Sequence, residues 1–193
     1  MEGTVHEDLR IRRTREAIHK AFSGMLLKKN YRDITVKDLA KLANINRKTF
    51  YLHYDSLDEL LEEVQQEMSD GFVRRIAALK GRVDMAVITR EFFLYSLENK
   101  LKEHINCDES CRFISKRITR KTMEQNSQYI PVEADKYRKN IVSTFLSGAT
   151  LEIFRQWVAD GKKIPLEEII ELTTKLICNG VEGVERSGRL EKN

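Results

Sequence analysis

The chain has 193 residues, 41% hydrophobic and 33% charged, with nine glycines, two prolines and three cysteines. That length holds one sizeable core or a small module joined to a larger one, and scarce Pro and Gly among abundant Leu, Ile, Lys and Glu favour a nearly all-helical chain. Three irregularly spaced cysteines do not suggest a disulfide framework, and without an apolar N-terminal run or an uninterrupted apolar stretch of about eighteen residues neither export nor a membrane span is expected, so the chain reads as cytoplasmic.

The net charge of +4 is unevenly placed: residues 10 to 48 hold 12 Lys and Arg against 3 Asp and Glu, leaving the remainder at −5. A basic N-terminal stretch on a mildly acidic body suits one module that touches a phosphate backbone.

Residues 1 to 8 are polar. A helix is expected from Leu9 or Arg10 to about Lys29, with Ala17, Ile18, Ala21, Phe22, Met25 and Leu26 on its apolar face. Arg10, Arg12, Arg13 and Arg15 crowd its beginning, where cations oppose the helix dipole. A nearby phosphate would account for them; solvated arginines on a helix end are the plainer alternative. Asn30 can close the helix, and Tyr31 is expected to pack over the small domain.

Ile34 to Leu61 reads as two short helices about a tight turn, followed at once by a third. Thr35 can cap the first, with Asp38 three residues on. Val36, Leu39, Ala40 and Ala43 share one face, Asn44 tolerates a left-handed turn, and Asn46 can cap a second helix reaching about His53. Phe50 is its buried candidate. A helix–turn–helix lays its second helix in the major groove with its first residues at base edges, here Arg47, Lys48 and Thr49. Ser56 with Glu59 is another capping pair. The small core should be filled by Phe22, Tyr31, Ile34, Leu39, Ile45 and Phe50.

This stretch resembles the N-terminal DNA-binding domain of the TetR family of bacterial transcriptional regulators, through Ala17, Phe22, Tyr31, Ile34, Thr35, Val36, Ile45, Phe50, Tyr51, His53 and Tyr54. The likeness is close over about the first 60 residues; beyond them it rests on length, helical character and the last two helices. It implies an all-α fold: an N-terminal three-helix DNA-binding domain over residues 9–56, and a C-terminal helical effector-binding and dimerisation domain over 57–187. It also implies that Arg47, Lys48 and Thr49 face bases, that Tyr51 and His53 touch DNA, and that Lys37 lies near the groove or phosphates. One departure is Leu57, where relatives usually carry a phosphate-binding Lys; the helix's own amides could still meet a phosphate there.

A linking helix is expected over about 57–79, then a break at Lys80 to Arg82 around Gly81. The next helix, about 83–98, is apolar on more than one side and so central. Over 103–118 the pattern weakens. His104, Cys107 and Cys111 could align on a single helix as soft metal ligands, but their spacing matches no recognised metal motif, and ordinary packing is the preferred reading. Residues 112–139 hold 8 Lys and Arg against 3 acids, either a solvated face or a surface for an acidic effector or acidic protein partner. A loop is expected near Tyr129 to Val132 at Pro131. The longest helix follows, about 133–160, ended by Gly161, and another runs from Leu166. Gly183 to Asn193 reads as a fraying tail.

The last two helices carry more apolar surface than one protomer needs, so a homodimer through a four-helix bundle is expected, as the resemblance also implies. Phe145, Ala149, Ile153, Trp157, Ile169, Ile170, Thr173, Leu176 and Ile177 are its candidate interface. For a small-molecule effector, Phe92, Phe93, Tyr95, Phe113 and Phe154 are candidate pocket residues. The four histidines, His6, His19, His53 and His104, make no catalytic arrangement, so no enzyme, cofactor or metal is expected. The resulting reading is a ligand-responsive regulator, more commonly a repressor, acting as a homodimer on palindromic double-stranded DNA. The alternative is a helical adaptor acting through a protein partner, with weak or lost operator binding.

Overall fold

The computed structural model describes residues 9–81, 83–126 and 135–190, without the side chains of 181–190. The segments 1–8, 127–134 and 191–193, with Arg82, lie outside it, and so does the loop expected at Pro131. Among the described residues the regular structure is all helical: α1 Leu9–Leu26, α2 Val36–Leu42, α3 Arg47–Tyr51, α4 Leu57–Ala77, α5 Met85–Leu97, α6 Lys100–Cys107, α7 Arg112–Gln125, α8 Lys136–Ala159 and α9 Leu166–Leu190. Two 3-10 turns, Tyr31–Asp33 and Glu109–Cys111, complete them.

Side-chain caps start most of these helices, satisfying amides that have no partner within the helix. Thr35 Oγ1 accepts from the Asp38 amide at 3.2 Å and donates to the Asp38 carboxylate at 2.9 Å. Asn46 Oδ1 accepts from the Lys48 amide at 2.9 Å. Ser56 Oγ accepts from the Glu59 amide at 3.2 Å, while Glu59 reaches back to the Asp55 amide at 2.6 Å. Asn44 takes the left-handed turn between α2 and α3, with φ 54°.

The first hydrophobic core contains the expected Phe22, Tyr31, Ile34, Leu39 and Phe50, with Ile45 half-buried against it. It does not stop at residue 56. Leu60, Leu61 and Val64 of α4 join it, and so do Ile105 of α6, Cys111, and Ile114 and Ile118 of α7. The three-helix head therefore sits on one continuous apolar foundation with the body. A second core joins Phe93 of α5 to Phe154 and Trp157 of α8 and Ile169 and Ile170 of α9. A third joins Val142 and Leu146 to Ile177.

Three expectations change here. α3 stops at Tyr51, two residues short of His53. The proposed single helix for His104, Cys107 and Cys111 is interrupted at Asp108, whose carboxylate accepts from the Ser110 amide at 2.8 Å and starts a separate 3-10 turn. The supposed tail is helical to Leu190, because nothing between Gly183 and that residue forbids a helix.

Candidate functional site

The candidate reading surface follows from how little of α3 is buried. Phe50 is fully buried against Tyr54 and the rest of the head core, with ring centroids 5.7 Å apart. Anchored by that ring, the helix leaves Arg47 and Lys48 exposed, Thr49 half-buried and Tyr51 49% exposed. Lys37 on α2 is exposed as well, and His53 is half-buried just beyond α3. Arg47, Lys48 and Lys37 make no ion pair among the described residues, so their charge is available to an external anion. Leu57 is half-buried against the first core, which accounts for an apolar residue at that position.

The arginine-rich start of α1 divides by direction. Arg13 is exposed. Arg15 instead turns inward, pairing with Glu63 of α4 and lying 5.5 Å from the Tyr54 ring centroid. His19 Nε2 lies 3.0 Å from Tyr54 Oη and 3.5 Å from Glu63. Burial alone would raise the Glu63 carboxyl, but hydrogen bonds from Tyr54 and Arg15 and the nearby positive charge outweigh it and hold it below the usual range. His19, Glu63 and Glu67 bring ligand atoms within 4.8 Å of one another; Arg15 already supplies the cation there. This knot fixes α1 against α4. Nothing in the linear sequence marked it, because its members are 48 residues apart.

A cavity of about 200 Å³ lies among α4, α5, α7 and α8. Its wall is mostly apolar and, among the described residues, carries no Asp, Glu, Lys, Arg or His. Phe92 and Tyr95 line it, as does Phe72 from α4, which packs edge-on to Phe92 at 6.2 Å. Two buried wall atoms, Gln65 Oε1 and Thr89 Oγ1, have no hydrogen-bond partner among the described residues. Buried polar atoms ordinarily find partners, and a water or a guest in the cavity would supply one to each.

The other three candidate pocket aromatics lie elsewhere. Phe93 and Phe154 are completely buried against each other and Trp157 in the second core. Phe113 is 55% exposed on the outside of α7 beside Tyr31, where it lines a hollow adjoining the cavity and not the cavity itself. Aromatic content alone could not separate core from cavity wall.

The candidate dimer residues divide similarly. Trp157, Ile169, Ile170, Thr173 and Ile177 are buried inside the protomer, where α5, α8 and α9 pack together, and cannot face a partner. Ala149 and Ile153 are half-buried. Phe145 and Leu176 do lie outward, at 44% and 54% exposure. The outer stripe continues through Tyr137 and Ile141 on α8 and Leu172 on α9, residues the sequence reading left out of the interface. Phe145 rests against Gly180, where an added Cβ would lie 3.1 Å from its ring.

Comparison with known proteins agrees with this architecture. Residues 16–64 match the profile of the bacterial regulatory proteins of the tetR family, and residues 85–179 match that of a transcriptional regulator C-terminal region. The chain belongs to the TetR family. TetR members are DNA-binding transcriptional regulators and not enzymes. The uncharacterized HTH-type transcriptional regulator YxbF of Bacillus subtilis (strain 168) is 38% identical over 95 residues, covering 49% of this chain but only 23% of that protein. Among solved structures, the TetR transcriptional regulator from Streptococcus agalactiae 2603V superposes with a TM-score of 0.68 at 22% identity, covering 88% of this chain and 96% of that one. The fatty acid degradation regulator FadR from Bacillus halodurans does so at 0.62 and 16% identity, covering 92% and 96%. At these identities the TetR likeness is one of fold. Among the described residues, no helix is long and apolar enough to cross a membrane.

Proposed function

We propose that the protein is a ligand-responsive repressor that binds a palindromic operator as a homodimer. Residues 9–56 form the reading head and 57–187 the effector-binding and dimerising body. The observation that carries this is α3: a helix anchored by one buried ring and otherwise presenting Arg47, Lys48 and Thr49 from a basic head. Arg47 is suited to guanine edges and Thr49 to a thymine methyl, with Lys37, Tyr51 and His53 at the backbone. The exposed stripe of Tyr137, Ile141, Phe145, Leu172 and Leu176 supports two-fold pairing through α8 and α9. Paired in this way, two heads would enter successive major grooves about 34 Å apart.

The switch would run from the cavity to the head through α4. Gln65, on the cavity wall, donates through Nε2 to the Cys111 carbonyl at 3.3 Å. The adjacent Ser110 Oγ accepts from the Tyr31 amide of the head at 3.2 Å. A guest that displaces Gln65 would thus disturb the seat of the head, coupling effector to operator as two-state regulation requires.

Selection from randomised duplex DNA at a stated salt concentration tests the reading. A palindrome bound by one dimer is the expected product. Recovery of no sequence above background from folded dimer would overturn it.

A further inference from the structure

Resting on the effector-site reading above, we infer that the ligand is an amphiphilic anion: an apolar chain seated in the cavity, with a carboxylate or phosphate head at a basic mouth between α7 and α8. The cavity is not isolated. Ser115, Thr119 and Met123 of α7 and Ser147 and Leu151 of α8 line both it and an adjoining hollow. Among the described residues the inner compartment has no charged lining, whereas the outer one is rimmed by seven Lys and Arg against Glu124 and Glu152.

Much of that rim is already engaged. Arg112 and Arg155 hold Glu152, each at 2.7 Å, and Arg117 holds Glu62. Lys116, Arg120, Lys136 and Lys139 make no ion pair among the described residues. Four uncommitted cations at the open end of a neutral, apolar chamber match a molecule with charge at one end only. A neutral apolar molecule or an anion without a chain would use half of the site. Inside, Gln65 Oε1 and Thr89 Oγ1 lack partners although the residues are 5% and 1% exposed. A hydroxyl on the chain, or a water carried in beside it, would meet that need.

The inner volume of about 200 Å³ suits a short to medium chain, so decanoate, decyl phosphate, 1-decanol and butyrate are the probes. Calorimetric titration of the full-length protein should give decanoate or decyl phosphate about tenfold or more tighter binding than 1-decanol, the range of a charge-assisted hydrogen bond. Butyrate should bind far more weakly. The advantage over 1-decanol should shrink as salt is raised, because the mouth is solvent-exposed. Whichever of decanoate and decyl phosphate binds tighter identifies the head group.

The double variant Lys116→Ala/Arg120→Ala alters exposed residues only, and should remove most of the advantage while leaving 1-decanol binding unchanged. Equal binding of anion and alcohol by the wild type would overturn the inference, as would an advantage that the double variant leaves intact, or binding of none of the probes. Operator affinity, measured in parallel, separates the two readings. If decanoate binds with the expected selectivity but leaves operator affinity unchanged, the effector role fails and the ligand class stands. If 1-decanol binds as tightly and both release DNA, the effector role stands and the ligand class fails.

Discussion

The backbone amide of Tyr31 donates to Ser110 Oγ at 3.2 Å, joining the reading head to the turn between α6 and α7 across 79 residues of sequence. Tyr31 also bonds Asp58 through its hydroxyl and packs edge-on to Phe22 at 6.3 Å. One residue thus touches head, linking helix and body. Ser110→Ala should leave the fold intact and cost about 1 kcal/mol, the typical net worth of one such hydrogen bond. Hydrogen exchange at the Tyr31 amide is the specific readout: it should accelerate relative to the amides of α5, and unchanged exchange would mean the bond does not restrain the head.

The two apolar stripes of α8 should behave oppositely when cut. Ile141 is 72% exposed, so Ile141→Asp should shift the protein to monomer in light scattering while its helix content and melting temperature as a monomer hold. Trp157 is buried and donates Nε1–H to the Ile164 carbonyl at 2.7 Å. Trp157→Ala should instead cost about 3–5 kcal/mol of stability by denaturant titration. A dimer that persists in Ile141→Asp would place the interface elsewhere.

Stability should fail at both pH extremes, for identifiable groups. Burial raises the hydroxyls of Tyr31 and Tyr54 above their ordinary 10.0, helped by Asp58 and Glu63 respectively, and lifts the thiols of Cys107 and Cys111 from 9.0 to about 11 and about 12. Each is an acid whose neutral form the fold prefers, so its contribution is complete below the unfolded value and lost as pH rises through the folded one. Alkaline unfolding should therefore begin above about pH 9, and Cys111, which is fully buried, should not react with a thiol reagent at neutral pH until the protein is unfolded. Glu63 works in the other direction: its carboxyl is held below 4.5, so its contribution is complete above that value and lost as pH falls through the lower one. A flat melting temperature between pH 8 and 11 would contradict the alkaline assignment.

Glycine at 71 makes room for Tyr95. A Cβ added there would collide with the Tyr95 hydroxyl, which donates to the Met68 carbonyl at 2.9 Å and stands beside the cavity. In an open helical position Gly→Ala gains about 1 kcal/mol, and Gly24, with nothing within 4 Å, is such a position. Gly71→Ala should lose that gain to the broken hydrogen bond and also change ligand affinity. A Gly71→Ala variant as stabilised as Gly24→Ala would show that Tyr95 moves at no cost.

The head was legible in the sequence because its signals are local. Thr35, Asn46 and Ser56 each cap a helix within three residues, Asn44 sits at the one turn of the head that needs a left-handed residue, and Phe50 follows three polar residues, Arg47, Lys48 and Thr49. The body was legible only as helices. Phe92 and Phe93 are adjacent in sequence, yet one lines the cavity and the other is sealed in the core. Their difference comes from what α4, α8 and α9 place against them. The same holds for Ile141 and Val142, 72% and 6% exposed: periodicity registers a wide apolar face but does not divide it between protomer and partner. α6 went unrecognised because its Asn99 cap introduces only eight residues of mixed polarity.

The most direct test is the affinity of the folded protein for a selected duplex against a scrambled one, at fixed salt, for the wild type and Arg47→Ala. The wild type should prefer the selected duplex by about a thousandfold or more, and Arg47→Ala should lose about 1–3 kcal/mol of that preference while keeping its fold and its weak binding to scrambled DNA. Equal affinity of the wild type for both duplexes, or a preference that Arg47→Ala leaves untouched, would contradict the assignment of α3 as the reading helix.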